Sequence, residues 1–236
     1  MDFTIQKYKQ LLSALGKRSY ILRHDVDKLP GNSLRTAKIE AEFGIKGIYY
    51  FRVCTRNESI IKEIASLGHE IGYHYENLTT CDGDVDAAFE DFKKELVAFR
   101  QIVPIKSICM HGSPRSPFDS KDIWKKHDYH QLGIESEPYL DTDFSRTFYL
   151  TDTGRRWDGY KVSVRDKIPE FQDQWTEAGL TFHSTDDVVE GLQSGKIPDN
   201  IMITVHPQRW NPAGFAWLKE LVMQKAKNVI KRMIIR

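Results

Sequence analysis

The sequence is poor in the features that would settle its class at once. It has three cysteines in 236 residues, Cys54, Cys81 and Cys109, with no CxxC pair. An odd, scattered set of this kind argues against a disulfide framework and reads as reduced thiols. No stretch approaches the ~20 apolar residues a membrane span requires, and the N-terminus lacks a basic segment followed by an apolar run. The expectation is therefore a cytoplasmic protein without a membrane span. Charge of one sign is missing too: 34 Lys and Arg face 33 Asp and Glu, so no global field recruits nucleic acid or anionic lipid. There is no GxGxxG after the first apolar run, which counts against a dinucleotide fold. No internal repeat, low-complexity tract or linker divides the chain.

What is present is an alternation of short β-branched and aromatic runs with helical periodicity. Strands are predicted at 20–23 (YILR), 47–53 (GIYYFRV), 69–74, 105–110 and 201–206 (IMITVH), with fragments within 135–149 and a weak strand at 181–184. Between them, helices are predicted over about 33–43, 58–67, 84–99, 120–126 and 185–194. A helix over 1–16 precedes the alternation, and one over 212–235 follows it, read as amphipathic and docking on the body. Its apolar face also permits a homodimer. Alternating strands and helices argue for a parallel sheet with right-handed crossovers. Roughly seven strand signals in this length favour an α/β barrel, complete or incomplete, over a flat doubly wound sheet, in one domain spanning 1–236 with the barrel at about 20–210.

In such a barrel, functional groups gather at the C-terminal ends of the strands. The ionisable residues there are His24, Asp25 and Asp27, then His74 and Glu76, then His111, then His206. Two carboxylates two apart can divide the work of holding a divalent cation and accepting a proton from water. Taken alone, an Asp-x-Asp before Pro30 is as readily a turn-forming pair. In GHEIGYH, Gly68 and Gly72 bracket a short buried strand and allow close backbone approach.

LRHDVD, GHEIGYH, MHGSPRSPF and ITVHPQRW, in this order, resemble the polysaccharide deacetylases, the NodB-homology enzymes of carbohydrate esterase family 4. The resemblance runs over about residues 20–210 and implies a distorted (β/α) barrel of about seven strands. It implies Asp25 as catalytic base, Asp27 and His74 as metal ligands, and His206 as general acid. The ion implied is divalent, foremost Zn2+, with Co2+, Mn2+ or Ni2+ as alternatives. Two departures stand out. Leu78 occupies the place of the second metal histidine, and the arginine that orients the base has no plain counterpart, with His111 near its place and Arg115 four residues on. Because hydrolytic zinc sites present three protein ligands plus water, His111 becomes the third candidate ligand, with Glu76 and His24 behind it. The alternative for His111 is a substrate contact or a hydrogen bond to Asp25.

Arg155, Arg156 and Trp157 in TDTGRRWDG, together with Arg209 and Trp210, form a candidate sugar-binding group. Aromatic faces stack on pyranose rings and guanidinium forks bind anions; a solvated turn whose Trp packs on the body is the alternative. DTGRRW and HPQRW look like forms found in deacetylases of O-antigen and other surface-polysaccharide clusters. That likeness implies an N-acylated amino sugar, nucleotide-linked or lipid-linked, as substrate.

Overall fold

The computed structural model describes residues 1–16, 18–113, 116–157, 163 and 165–234. In chain order it contains α1 (Ile5–Leu15), β1 (Ser19–Val26), α2 (Pro30–Glu42), β2 (Ile48–Phe51), α3 (Glu58–Ser66), β3 (Glu70–Tyr75), α4 (Asn77–Thr80), α5 (Val85–Arg100), β4 (Ile108–Met110), α6 (Pro138–Asp141), β5 (Phe148–Thr151), α7 (Pro169–Glu177), α8 (Thr185–Gln193), β6 (Asn200–Val205) and α9 (Phe215–Ile234). Short single-turn helices fill several of the connections.

Local chemistry explains these boundaries. Asp84, expected as the start of a long helix, caps α5 by accepting from the N–H groups of Asp86 and Ala87, a contribution of about 1 kcal/mol. Ala88, Phe92, Leu96 and Phe99 then fall on one buried face, each large side chain contributing about 1.5–3 kcal/mol on burial. Ser184 and Asp187 form a reciprocal cap at the start of α8.

All strand pairings are parallel, and the sheet order is β4-β3-β2-β1-β6-β5. The sheet curls into an open half-barrel surrounded by helices. Among the described residues there are six strands, one fewer than the pattern suggests. The 181–184 stretch is not a strand; it leads into the capped start of α8, because Asp187 accepts from the N–H groups of His183 and Ser184. The edge of β4 is covered by chain instead of a further strand: Ile108 N–H donates to the Ser136 carbonyl and Met110 N–H to Glu137, which occupies donors that an edge strand would otherwise present.

Two apolar clusters flank the sheet. One gathers α1, α8, β5, β6, Trp157 and Trp210; the other gathers the outward side chains of β2, β3 and β4 with α3 and α5. The half-barrel interior, by contrast, is polar. Period-two alternation on β1 turns Arg23 and Asp25 inward and His24 outward. There His24 stacks on Tyr49 and meets buried Glu40 of α2 at 2.9 Å. Gly72 on β3 lies beneath the Tyr50 ring, and a Cβ at that position would sit 2.3 Å from it. The glycine lets an aromatic ring cross the interior floor.

Candidate active site

The candidate site lies where β1, β3, β4 and β6 end. Its chain of positioning begins with Asp25, which is buried and accepts from Arg23 Nη2 at 2.9 Å. The arginine comes from the same strand, two residues earlier, and its guanidinium lies 4.6 Å from the centroid of the Tyr139 ring, whose hydroxyl it also contacts at 3.1 Å. Thus β1 itself supplies an arginine that orients Asp25. Asp25 raises the already high Arg23 pKa further, overcoming the downward push of burial.

Asp27 follows a tight turn in which its N–H donates to the Asp25 carbonyl. Its Oδ1 is 3.1 Å from His111 Nδ1 and 3.5 Å from His74 Nε2, yet it is buried without a well-formed hydrogen bond. Burial alone would push this carboxyl up; the His111, His74 and His206 rings outweigh it and hold Asp27 well below the usual carboxylate range.

His74 donates Nδ1–H to the Cys109 carbonyl at 2.8 Å. A carbonyl can only accept, so the neutral ring carries its proton on Nδ1 and turns the Nε2 lone pair into the site, the arrangement seen around metal-ligating histidines; burial pushes this imidazole's pKa down, but Asp25 and Asp27 raise it. His111 ends β4, its N–H bonded to the Tyr75 carbonyl, and its Nδ1 lies 3.3 Å from His74 Nε2. One ligand atom each from Asp27, His74 and His111 lie within 4.8 Å of one another.

These three residues fit a divalent cation. The buried unpartnered oxygen of Asp27, the fixed lone pair of His74 and a second imidazole converge as a harder-donor N/N/O set suited to zinc and its neighbours. Asp25, His74 and Cys109 also fall within the same span, but Asp25 is engaged by Arg23 and burial pushes the Cys109 thiol far up, so that set is the poorer one. Glu76 is held by Arg52 at 2.6 and 2.9 Å, with Oε2 3.9 Å from His111 Nε2; it backs His111 and does not join the trio. Leu78 lies on α4 inside an apolar cluster.

On the opposite side stands His206. Its Nδ1 contacts Asp152 Oδ1 at 2.6 Å, its backbone N–H donates to Asp152 Oδ2 at 2.9 Å, and its Nε2 looks back at Asp27 Oδ2 and Asp166 Oδ2, each 3.8 Å away. Asp152 also accepts from Arg209 and from Trp210 Nε1. Burial pushes Asp152 up, but Arg209 and His206 hold it below the ordinary range. For His206, burial and Arg209 push down while Asp152 and Asp27 push up, and the upward push wins.

The proposed sugar-binding group does not assemble. Trp157 is 2% exposed and donates to Thr185 Oγ1, while Trp210 is fully buried against Phe3 and Tyr8. A ring enclosed in the core has no face to offer a sugar. Arg155 ion-pairs with Glu220 of α9 and donates to the Asp2 carbonyl; it ties chain segments together. Arg156 reaches His183 at 3.1 Å, away from the trio, and Arg209 braces Asp152 instead of a ligand. Arg115 lies outside the described residues. Arg23, Asp152, Tyr139 and Asp166 were not singled out from sequence. The i, i+2 spacing of Arg23 and Asp25 on one strand is the signal that could have found the first, and Asp152 follows β5 as His206 follows β6.

No family model matches the chain, and no curated protein matches it. Among solved structures it is similar to a mutant of a CE4 family pseudoenzyme, at 13% identity and a TM-score of 0.43 over 92% of this chain. A CE4 esterase of Streptococcus mutans aligns at 11% identity with a TM-score of 0.48, covering 98% of this chain and 87% of the esterase. A mutant of the peptidoglycan deacetylase PdaC of Bacillus subtilis aligns at 10% identity with a TM-score of 0.41, covering 93% and 98%. The chain spans 64% of the length of the first of these. At these identities, the chemistry must be read from this chain's own side chains.

Proposed function

We propose that this protein is a metal-dependent deacylase that hydrolyses the acyl–nitrogen bond of an N-acylated amino sugar. The observation that carries this reading is the placing of two proton-handling groups, Asp25 and His206, on either side of the Asp27, His74 and His111 ligand atoms. Asp25 Oδ2 is 3.8 Å from His74 Nε2, and His206 Nε2 is 3.8 Å from Asp27.

A divalent ion held by Asp27, His74 and His111 would supply Lewis acidity to a carbonyl oxygen and to a water. Asp25, held by Arg23 at 2.9 Å, takes the proton from the attacking water as general base. His206 carries its proton on Nε2, oriented by Asp152 at Nδ1, and delivers it to the departing nitrogen. Arg23 keeps Asp25 aimed through the fixed geometry of their shared strand. The four sequence segments that resemble CE4 deacetylases contribute these same residues, which supports the acyl-sugar reading. The DTGRRW and HPQRW likeness supports a nucleotide-linked or lipid-linked sugar of surface-polysaccharide assembly as the substrate.

Incubation with acetylated amino-sugar donors and each of Zn2+, Co2+, Mn2+ and Ni2+, with released acetate measured, tests the proposal. Acetate release that stops on chelation supports it. Absence of release across nucleotide-linked and lipid-linked donors with every ion would sink it in favour of a non-catalytic glycan binder.

A further inference from the structure

Over residues 215–229, helix α9 packs with its faces reversed. Its inward side, at positions 217, 220, 221, 224 and 228, is mostly polar. Trp217 Nε1 donates to the Asp2 carbonyl, Glu220 pairs with Arg155, and Asn228 donates to the Gly154 carbonyl. Its outward side carries Phe215, Leu218, Val222 and Val229, exposed by 81%, 51%, 59% and 53%. With Ala226, these residues form one stripe at helical spacing. Over residues 215–229, the helix thus presents an apolar face to the outside; of the apolar residues that suggested docking on the body, Ile230, Met233, Ile234 and Ile235 lie outside the described side chains. Single exposed apolar residues need no explanation, but a continuous stripe does.

Charge on this face selects the occupant. At 100° per residue, Lys219 and Lys225 flank the stripe on its two sides, and both are exposed. The one acid between 215 and 229, Glu220, points inward and is engaged by Arg155. A second copy of this helix laid against the stripe would bring lysines to lysines with no acid to meet them. An anionic lipid surface accepts both features: the stripe enters the headgroup–acyl boundary while the lysine stems reach back to lipid phosphates.

We propose that the outward face of α9 is a docking surface for an anionic bilayer. Binding there would seat the rim of the candidate site beside the lipid, because α9 packs on the Thr153–Arg155 turn that follows β5 and Asp152. This deepens the proposed function by favouring a lipid-linked donor; only that choice of substrate rests on the deacylase reading, and the docking does not.

Vesicle co-sedimentation tests the surface without any assay of activity. The protein is mixed with vesicles of phosphatidylcholine alone or with about one-third phosphatidylglycerol, at low and high salt. Wild type should pellet with the anionic vesicles at low salt. Leu218→Ser with Val222→Ser should weaken partition roughly tenfold or more with an unchanged circular dichroism melt, and Lys219→Glu with Lys225→Glu should do the same. Failure of wild type to pellet with anionic vesicles would overturn the proposal, as would equal binding by the serine variant. A dimer in sedimentation velocity that the serine variant dissolves, without vesicle binding by wild type, would overturn it in favour of a second copy.

Discussion

The two sides of the half-barrel mouth are finished differently. On the β5–β6 side, Asp152 is surrounded by donors: His206 Nδ1 and N–H, Arg209 and Trp210 Nε1. On the β3–β4 side, Asp27 Oδ1, His74 Nε2 and His111 Nδ1 turn toward one another, and the oxygen lacks a well-formed hydrogen bond. Burying a carboxylate is tolerated only when it is paired or ligates a cation. The first side is complete with protein groups alone and fixes a proton on one imidazole. The second has the donor set of a cation site. One site thus combines an imidazole oriented by a buried carboxylate with three ligand atoms that could hold an ion.

The comparison is broken most severely by removing a ligand. His74→Ala or Asp27→Ala should lower divalent-ion affinity by more than the ~10–100-fold typical of losing a supporting partner, and abolish turnover; isothermal titration calorimetry reads the first. His111→Ala belongs to this class if its imidazole ligates, and retained affinity would reassign it to substrate. Next in size, Asp25→Asn should keep the ion and cut kcat by roughly 10²–10⁴, since the carboxylate that accepts the proton is gone while the trio stays intact. A variant with near-wild-type rate would refute the base assignment.

Asp152→Asn is the test of the other side. The Asp152 charge holds the His206 pKa up, so its removal lets burial and Arg209 bring it down. An acid is lost as pH rises through its pKa, so the alkaline limb of kcat/KM should move to lower pH, with a rate loss of about one to two orders of magnitude. An unmoved limb would show that His206 is not the acid. Arg23→Ala leaves Asp25 buried and alone, and should cost about 3–5 kcal/mol in urea unfolding. The smallest effect is expected from Gly72→Ala, whose Cβ would meet the Tyr50 ring; a loss of about 1–3 kcal/mol is expected, with ion affinity nearly unchanged.

Much of the site was legible along the strand ends. Asp25, Asp27, His74, His111 and His206 each follow a short apolar run, and a parallel barrel places all such positions at one mouth. Partners were harder to see. Asp152 lay within a segment whose arginines and tryptophan drew attention as ligand groups, yet Trp157 and Trp210 are core residues. A Trp in a loop of mixed polarity satisfies both descriptions; what decides for Trp210 is Phe3 and Tyr8 lying against it, some two hundred positions earlier in the chain. Likewise, helical periodicity showed that the 212–235 segment has an apolar face without showing where it points. Trp217, Glu220 and Asn228 anchor the opposite face to Asp2, Arg155 and Gly154, and those contacts are remote in sequence.

By itself, the sequence determined the alternation of strands and helices, the parallel sheet and the residues that arrive at its C-terminal edge. These follow from short-range periodicity and from the handedness of the connections. Tertiary structure alone decided that Arg23 orients Asp25, that Asp152 holds His206, that Leu78 belongs to the core while His111 joins Asp27 and His74, and that α9 shows its apolar stripe outward. Each of these depends on side chains meeting across the fold, where burial and hydrogen bonding select one partner among several that the local pattern permits.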